Sequence, residues 1–152
     1  MTAIVNWHGK LSFTGSAASG FEVPLGTSPN VGGDNDGFRP LELMAVSLAG
    51  CTAMDVISIL QKMRQEITAF RVEVDTDQSD AHPKVFTQAF IEYHVTGKDV
   101  TENAVVRAIE LSAVRYCPAQ SMLAKAFPIV LKYSIYDENG ELTVSGTYQT
   151  GE

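Results

Sequence analysis

The chain has 152 residues, 45% hydrophobic and 19% charged, with a mean hydropathy near zero. That is one domain, residues 1–152, able to bury roughly 68–70% of its unfolded surface without a disulfide or metal; it excludes a disordered chain and an ordinary integral membrane protein. Eleven basic against eighteen acidic residues leave a net charge of −7, which argues against nucleic acid or an anionic membrane as partner.

The first segments read as short strands, Ala3–His8, Leu11–Gly15 and Gly20–Val23, broken by Gly9-Lys10 and by Ser16 to Gly20. The start shows no basic region followed by an apolar run, so the expectation is a cytoplasmic protein, in which any Cys–Cys bond is transient and chemical. Gly26 to Gly37 is rich in Gly, Asn, Asp, Ser and Pro. It lacks both the ligand spacing of a calcium loop and the lysine of a phosphate loop, and reads as a flexible entry loop. Pro40 suits the first turn of a helix that should run to about Arg64. Leu43, Val46, Gly50, Ala53, Met54, Ile57 and Leu60 recur at helical spacing, and Met44, Leu48, Cys51 and Ile59 fill much of the remaining surface. A helix apolar nearly all round is buried on more than one side, and a second subunit could supply the outer layer. Glu42 and Asp55 argue against a membrane span, since a carboxylate near mid-bilayer costs about 2.5–3.5 kcal/mol.

Phe70 to Thr76 alternates strictly and reads as a half-exposed strand, paired in a hairpin with Lys84–Val95, whose inward row is Val85, Thr87, Ala89, Ile91, Tyr93 and Val95. Asp99 and Glu102 match a capping box opening a helix to about Tyr116. Pro118 restarts a shorter helix ending near Phe127. Ile129–Tyr136 and Leu142–Tyr148 close the chain as strands, with Asn139-Gly140 as the turn. Strands and helices come in blocks, so the class is α+β with mainly antiparallel sheets.

The chemistry rests on few residues. Cys51 lies on the apolar helix beside Gly50, whose missing side chain opens space at the sulfur. Cys117 precedes Pro118 and so falls at a helix N-cap, where a thiolate is stabilised. Either cysteine alone reads more readily as a small inert hydrophobe, and a separation of 66 positions says nothing of distance. Glu42 suits the first helical turn by charge, and lies about two and a half turns before Cys51 on roughly the opposite side of the helix. Arg39 is a loop cation, and a guanidinium beside a cysteine favours the thiolate. Asp55, one turn after Cys51, would oppose it. His8, His82 and His94 lie on or beside strands without a Cys or His at metal-ligand spacing, so no metal site is expected.

The block Arg39-Pro40-Leu41-Glu42-Leu43 through Ala49-Gly50-Cys51, followed by Tyr116-Cys117-Pro118, resembles the OsmC/Ohr family of osmotically inducible and organic hydroperoxide resistance proteins, in particular a less characterised OsmC-like branch. The order of strands and helices agrees along nearly the whole chain. The resemblance implies antiparallel sheets wrapped around long central helices in an intertwined homodimer, with sites at the subunit interface. It implies a peroxidase without a bound cofactor. Cys51 attacks an organic hydroperoxide and becomes a sulfenic acid, Cys117 condenses with it to a disulfide, and an external dithiol reduces that bond. Local physics favours Cys117 as the activated thiol, whereas the resemblance assigns the attack to Cys51. The sequence departs from the better-known members in lacking an arginine before Arg39 and in carrying its acid at Glu42, with Leu at 41. Arg39, held by Glu42 across the interface, is then the candidate replacement. The competing expectation is a non-catalytic OsmC-like protein that binds a small apolar ligand at the dimer interface.

Overall fold

A computed structural model describes residues 1–149, leaving the last three residues of the expected 1–152 domain outside it, and divides into two units, Met1–Met44 and the remainder from Ala45. The first unit holds the antiparallel sheet β1 (Ala3–Gly9), β2 (Ser12–Ala17) and β3 (Glu22–Leu25), in that order. Its only buried residues are Gly15, Gly26 and Gly33. Ile4, Val5 and Trp7 of β1 are all exposed in the single chain. The 26–37 segment, expected as an entry loop, carries local contacts of its own. It contains a 3₁₀ turn at Pro29–Val31, Lys10 Nζ reaches Asp34 at 2.8 Å, and Ser12 donates to Asp36. At Gly33 a Cβ would strike the carbonyl of Thr27, so the tight path of the loop requires glycine.

Helix α1 (Pro40–Lys62) starts in the first unit and continues into the second. By length and composition it could cross a membrane. Its Leu48, Thr52, Val56 and Leu60 instead form an i, i+4 row buried within the chain, while Met44, Val46 and Met54 are exposed. One chain covers one stripe of the helix and leaves a second apolar face uncovered.

The second unit carries the sheet β4 (Glu66–Gln78), β5 (Phe86–Lys98), β6 (Ile129–Tyr136) and β7 (Leu142–Tyr148), hydrogen-bonded in that order. The β4–β5 and β6–β7 pairs are antiparallel, but β5 and β6 run parallel, with Ala89 opposite Ile129 and Thr96 opposite Tyr136. A parallel pair needs a long crossover, provided here by α2 (Glu102–Leu111), a π-helical turn (Ser112–Tyr116) and α3 (Pro118–Leu123). The expected α+β class holds, with this one parallel pairing added to the antiparallel ones. Ala89, Ile91, Tyr93 and Val95 alternate onto the inner face of β5, as expected, and share a core with Leu48, Val56 and Leu60 of α1 and Val105, Ala108 and Ile109 of α2. Val85 and Thr87 of the expected row are exposed.

Three local expectations fail. Asp99 is not an N-cap, since it lies in the left-handed region at φ 50°. Thr101 is the N-cap, its backbone N–H donates to Gln65 Oε1 at 3.0 Å, and Glu102 instead accepts the Tyr133 hydroxyl at 2.7 Å. The helix opened there ends at Leu111 and widens into the π turn, rather than running on to Tyr116 in α geometry. The helix from Pro118 ends at Leu123, short of Phe127.

Candidate functional site

Arg39 and Glu42 lie in the first unit and form one pair. Pro40 is the first helical residue, so Arg39 stands at the N-cap and Glu42 at N3. Glu42 Oε2 accepts the Arg39 backbone N–H at 2.9 Å, and Oε1 accepts from Nη1 at 2.9 Å. The first contact is the returning half of a capping box. These bonds, the backbone one foremost, hold the Glu42 carboxyl below its ordinary pKa. The pair expected across a subunit interface is therefore made within one chain.

Cys51 and Cys117 lie in the second unit and form another pair. Cys51 is half-buried on α1, and Cys117 is buried at the N-cap of α3, where its Sγ accepts the Gln120 backbone N–H at 3.4 Å. That N-cap position is the one expected from Pro118. The cap contact favours the thiolate as expected but is outweighed, and the Cys117 pKa is pushed up to about 11. Burial is the main cause. The Gln120 N–H works in the opposite direction, and the Cys51 side chain then adds to the rise through a hydrogen bond and its charge. A helix of one and a half turns cannot offset the removal of a sulfur from water. The two sulfurs, 66 positions apart in sequence, are close enough to act on one another. Gly50 faces open space, with nothing within 4 Å of the place a Cβ would take.

Next to the thiols runs a buried polar chain that the sequence analysis missed. Thr52 Oγ1 lies 2.6 Å from Tyr93 Oη, 2.9 Å from Ser112 Oγ and 2.8 Å from Gln120 Nε2. Ser112 Oγ donates to Asp55 Oδ2 at 3.1 Å. This last bond sets every direction. The single Ser112 proton goes to the carboxylate, so Thr52 must donate to Ser112, and Tyr93 must donate to Thr52. Gln120 Nε2 also reaches Tyr93 Oη, at 3.3 Å. Burial raises the Tyr93 phenol well above its ordinary pKa, so it stays a donor. A sequence signal existed: Tyr93 occupies the inward row of its strand, and a buried tyrosine hydroxyl needs a partner. At the acid end, a cavity of about 330 Å³ is lined by Asp55, Ser58, Ile59, Leu111 and Tyr116 among others.

Fold and site together define a class: an α+β protein in which a helix and a crossover turn bring two cysteines together over a buried hydroxyl chain. The family model for OsmC-like protein matches residues 33–132, and the chain belongs to the OsmC-like protein family. It is 36% identical to Protein YhfA of Escherichia coli strain K12 over 138 residues, covering 89% of this chain and 98% of YhfA. A crystal structure of a hypothetical protein from Aquifex aeolicus matches with a TM-score of 0.79 and 25% identity over 90% of this chain and 96% of that one. An organic hydroperoxide resistance protein OsmC from Legionella pneumophila shares the fold, with a TM-score of 0.62 and 15% identity over 89% and 96% of the two chains.

Proposed function

We propose that the protein is a homodimeric, thiol-dependent peroxidase that reduces organic hydroperoxides. The observation that carries this reading is the proximity of Cys51 and Cys117, through which the first raises the pKa of the second. The Cys51 thiolate attacks the distal peroxide oxygen; the O–O bond breaks, the alkoxide takes a proton and leaves as an alcohol, and Cys51 becomes a sulfenic acid. The Cys117 sulfur then displaces hydroxide from that sulfenic sulfur, water leaves, and a disulfide forms. An external dithiol restores both thiols by exchange. Cys117 fits the second role, because a thiol held protonated by burial is a poor first nucleophile. Arg39, fixed by Glu42 of the same chain and about three turns before its own Cys51, is the group assigned to hold the other subunit's thiolate across the proposed dimer interface.

Dimerisation is part of the proposal. Three exposed apolar side chains on β1 (Ile4, Val5 and Trp7) and three on α1 (Met44, Val46 and Met54) need a cover that one chain does not supply. A second reading, a non-catalytic protein binding a small apolar ligand at the dimer interface, draws on the same raised Cys117 pKa, which disfavours easy oxidation. One equivalent of cumene hydroperoxide, added to the reduced protein, separates the two. The peroxidase loses two thiols and two mass units per chain. Cys51→Ser abolishes its turnover, and Cys117→Ser allows one oxidation and then stalls. Persistent thiols, or turnover unchanged in Cys51→Ser, overturn it.

A further inference from the structure

On the face of the β4–β5–β6 sheet opposite the core, Glu73, Glu92 and His94 converge, with one ligand atom from each lying within 4.8 Å of the others. Register brings them together. Glu73 and Glu92 are direct cross-strand partners, and His94 lies two residues along β5 on the same face as Glu92. Two carboxylates directly opposite each other destabilise a sheet unless a cation intervenes. Lys132, the partner of Glu92 on β6, leans its Nζ over the Phe90 ring at 5.0 Å. Arg71 takes Glu73 Oε1 at 3.1 Å and leaves Oε2 directed at the histidine.

His94 Nε2 is the central atom. It is shut off from solvent and has no hydrogen-bond partner among the described residues. It lies 3.4 Å from Glu73 Oε2 and 3.8 Å from Glu92 Oε1. Metal–ligand bonds of about 2.0–2.2 Å in a tetrahedral arrangement separate neighbouring ligand atoms by about 3.3–3.6 Å, close to both distances. Each ligand is also oriented from behind. Tyr136 Oη lies 3.1 Å from His94 Nδ1, Ser134 Oγ donates to Glu92 Oε1 at 3.0 Å, and Arg71 holds Glu73. Such outer partners fix the tautomer and rotamer of metal ligands. With Nδ1–H donating to Tyr136, Nε2 presents its lone pair to two carboxylates, an arrangement that a cation held between them satisfies. Cavities of about 320 and 330 Å³ adjoin the cluster, the first lined by His94, Arg71 and Tyr136 and the second by Glu73, Glu92, Asp75 and Lys132. They provide a route for an ion and room for a coordinating water.

We infer that Glu73, Glu92 and His94 form a binding site for a first-row divalent cation, zinc above all, with water completing the coordination. One imidazole and two carboxylates suit that ion: the two negative charges match its double positive charge, and three protein ligands at a tetrahedral site leave one position open. The site is independent of the thiols and of any peroxidase activity. The charged groups facing it are Arg71 from β4, Asp75 from β4 and Lys132 from β6. Spacing alone does not reveal it, because Glu73 joins the other two only through strand register.

Zinc titration by calorimetry on the Cys51→Ser/Cys117→Ser chain tests the inference without thiolate ligands. One ion per chain is expected, with affinity reduced about tenfold or more by His94→Gln and by Glu92→Gln, each confirmed as folded by circular dichroism. In the unsubstituted chain, nitrogen NMR should show the His94 imidazole resonances moving on zinc addition while those of His8 and His82 stay in place. No saturable binding, binding undiminished in His94→Gln, or shifts at His8 or His82 with His94 unmoved would each overturn it.

Discussion

Replacing Thr52 with valine tests the direction of the buried hydroxyl chain. Thr52 accepts from Tyr93 and Gln120 and donates to Ser112. Valine keeps the shape but leaves the Tyr93 O–H without an acceptor. Gln120 Nε2 retains only its 3.3 Å contact to Tyr93. One orphaned buried donor at about 1–3 kcal/mol, plus two weakened bonds at about 0.5–1.5 kcal/mol each, gives a loss of about 4 kcal/mol. For a chain of this size that is a fall in Tm of roughly 8–16 °C. Tyr93→Phe removes a hydroxyl from the head of the chain and orphans nothing, because Thr52 still receives Gln120 and still gives to Ser112. It should cost about 1 kcal/mol, or roughly 2–4 °C. In the Thr52→Val background the same Tyr93→Phe removes the orphaned donor but also takes the last partner of the buried Gln120 Nε2, so the two effects offset and the double variant should be about as stable as Thr52→Val alone. Denaturant melts of the four proteins, analysed as a double-mutant cycle, measure the coupling. Equal single costs, or costs that simply add, would refute the assigned directions.

Above pH 9 stability should fall. The unfolded chain releases the Cys117 proton near the ordinary value of 9.0, and the folded chain keeps it to about pH 11. Over that window the unfolded state holds fewer protons, so stability declines as pH rises; the difference between Tm curves of the reduced protein and Cys117→Ala isolates this slope. Glu42→Ala should lower peroxide turnover much more than it lowers Tm, since the carboxylate is exposed and its partner Arg39 is the proposed activator; parallel kinetics and melting decide this. Because the Glu42 carboxyl titrates below its ordinary value in the folded chain, its small contribution to stability is present above about pH 4.5 and lost below it. Glu42→Gln should flatten that part of the curve. Met54→Arg, on the exposed side of α1, should convert a dimer to monomer in analytical ultracentrifugation.

The closing strands were legible to the residue, because Asn139-Gly140 and two alternating runs are local signals. The edges of the β4–β5 hairpin were not: β4 begins at Glu66 and β5 ends at Lys98, where alternation gives way to polar residues held by the ladder. The parallel β5–β6 pair left no local trace, since pairing across a 30-residue crossover is decided by the packing of the helices between the strands. The capping box at Asp99 failed for a tertiary reason. Gln65, at the start of β4, supplies the acceptor for the Thr101 N–H, and Tyr133 claims the Glu102 carboxylate.

The cysteines show where local reasoning stops. Pro118 correctly put Cys117 at an N-cap, and an N-cap in water would favour its thiolate. Here the cap is closed over by the core, and the desolvation of one sulfur exceeds what the backbone N–H groups of Gln120 and Ala119 return. The local preference for Cys117 as first nucleophile therefore disappears once burial is counted, and the conflict with the family assignment to Cys51 goes with it. The same logic applies to the hydroxyl chain. Thr52 sits beside Cys51 on α1, Ser112 opens the π turn that ends at Cys117, and Gln120 donates its backbone N–H to the capping Cys117 and its side chain to Thr52. The polar chain thus fixes the backbone on both sides of the thiol pair. A substitution such as Thr52→Val should consequently slow disulfide formation as well as lower stability, whereas a surface change of equal thermodynamic cost should leave the rate of Cys51–Cys117 closure unaltered.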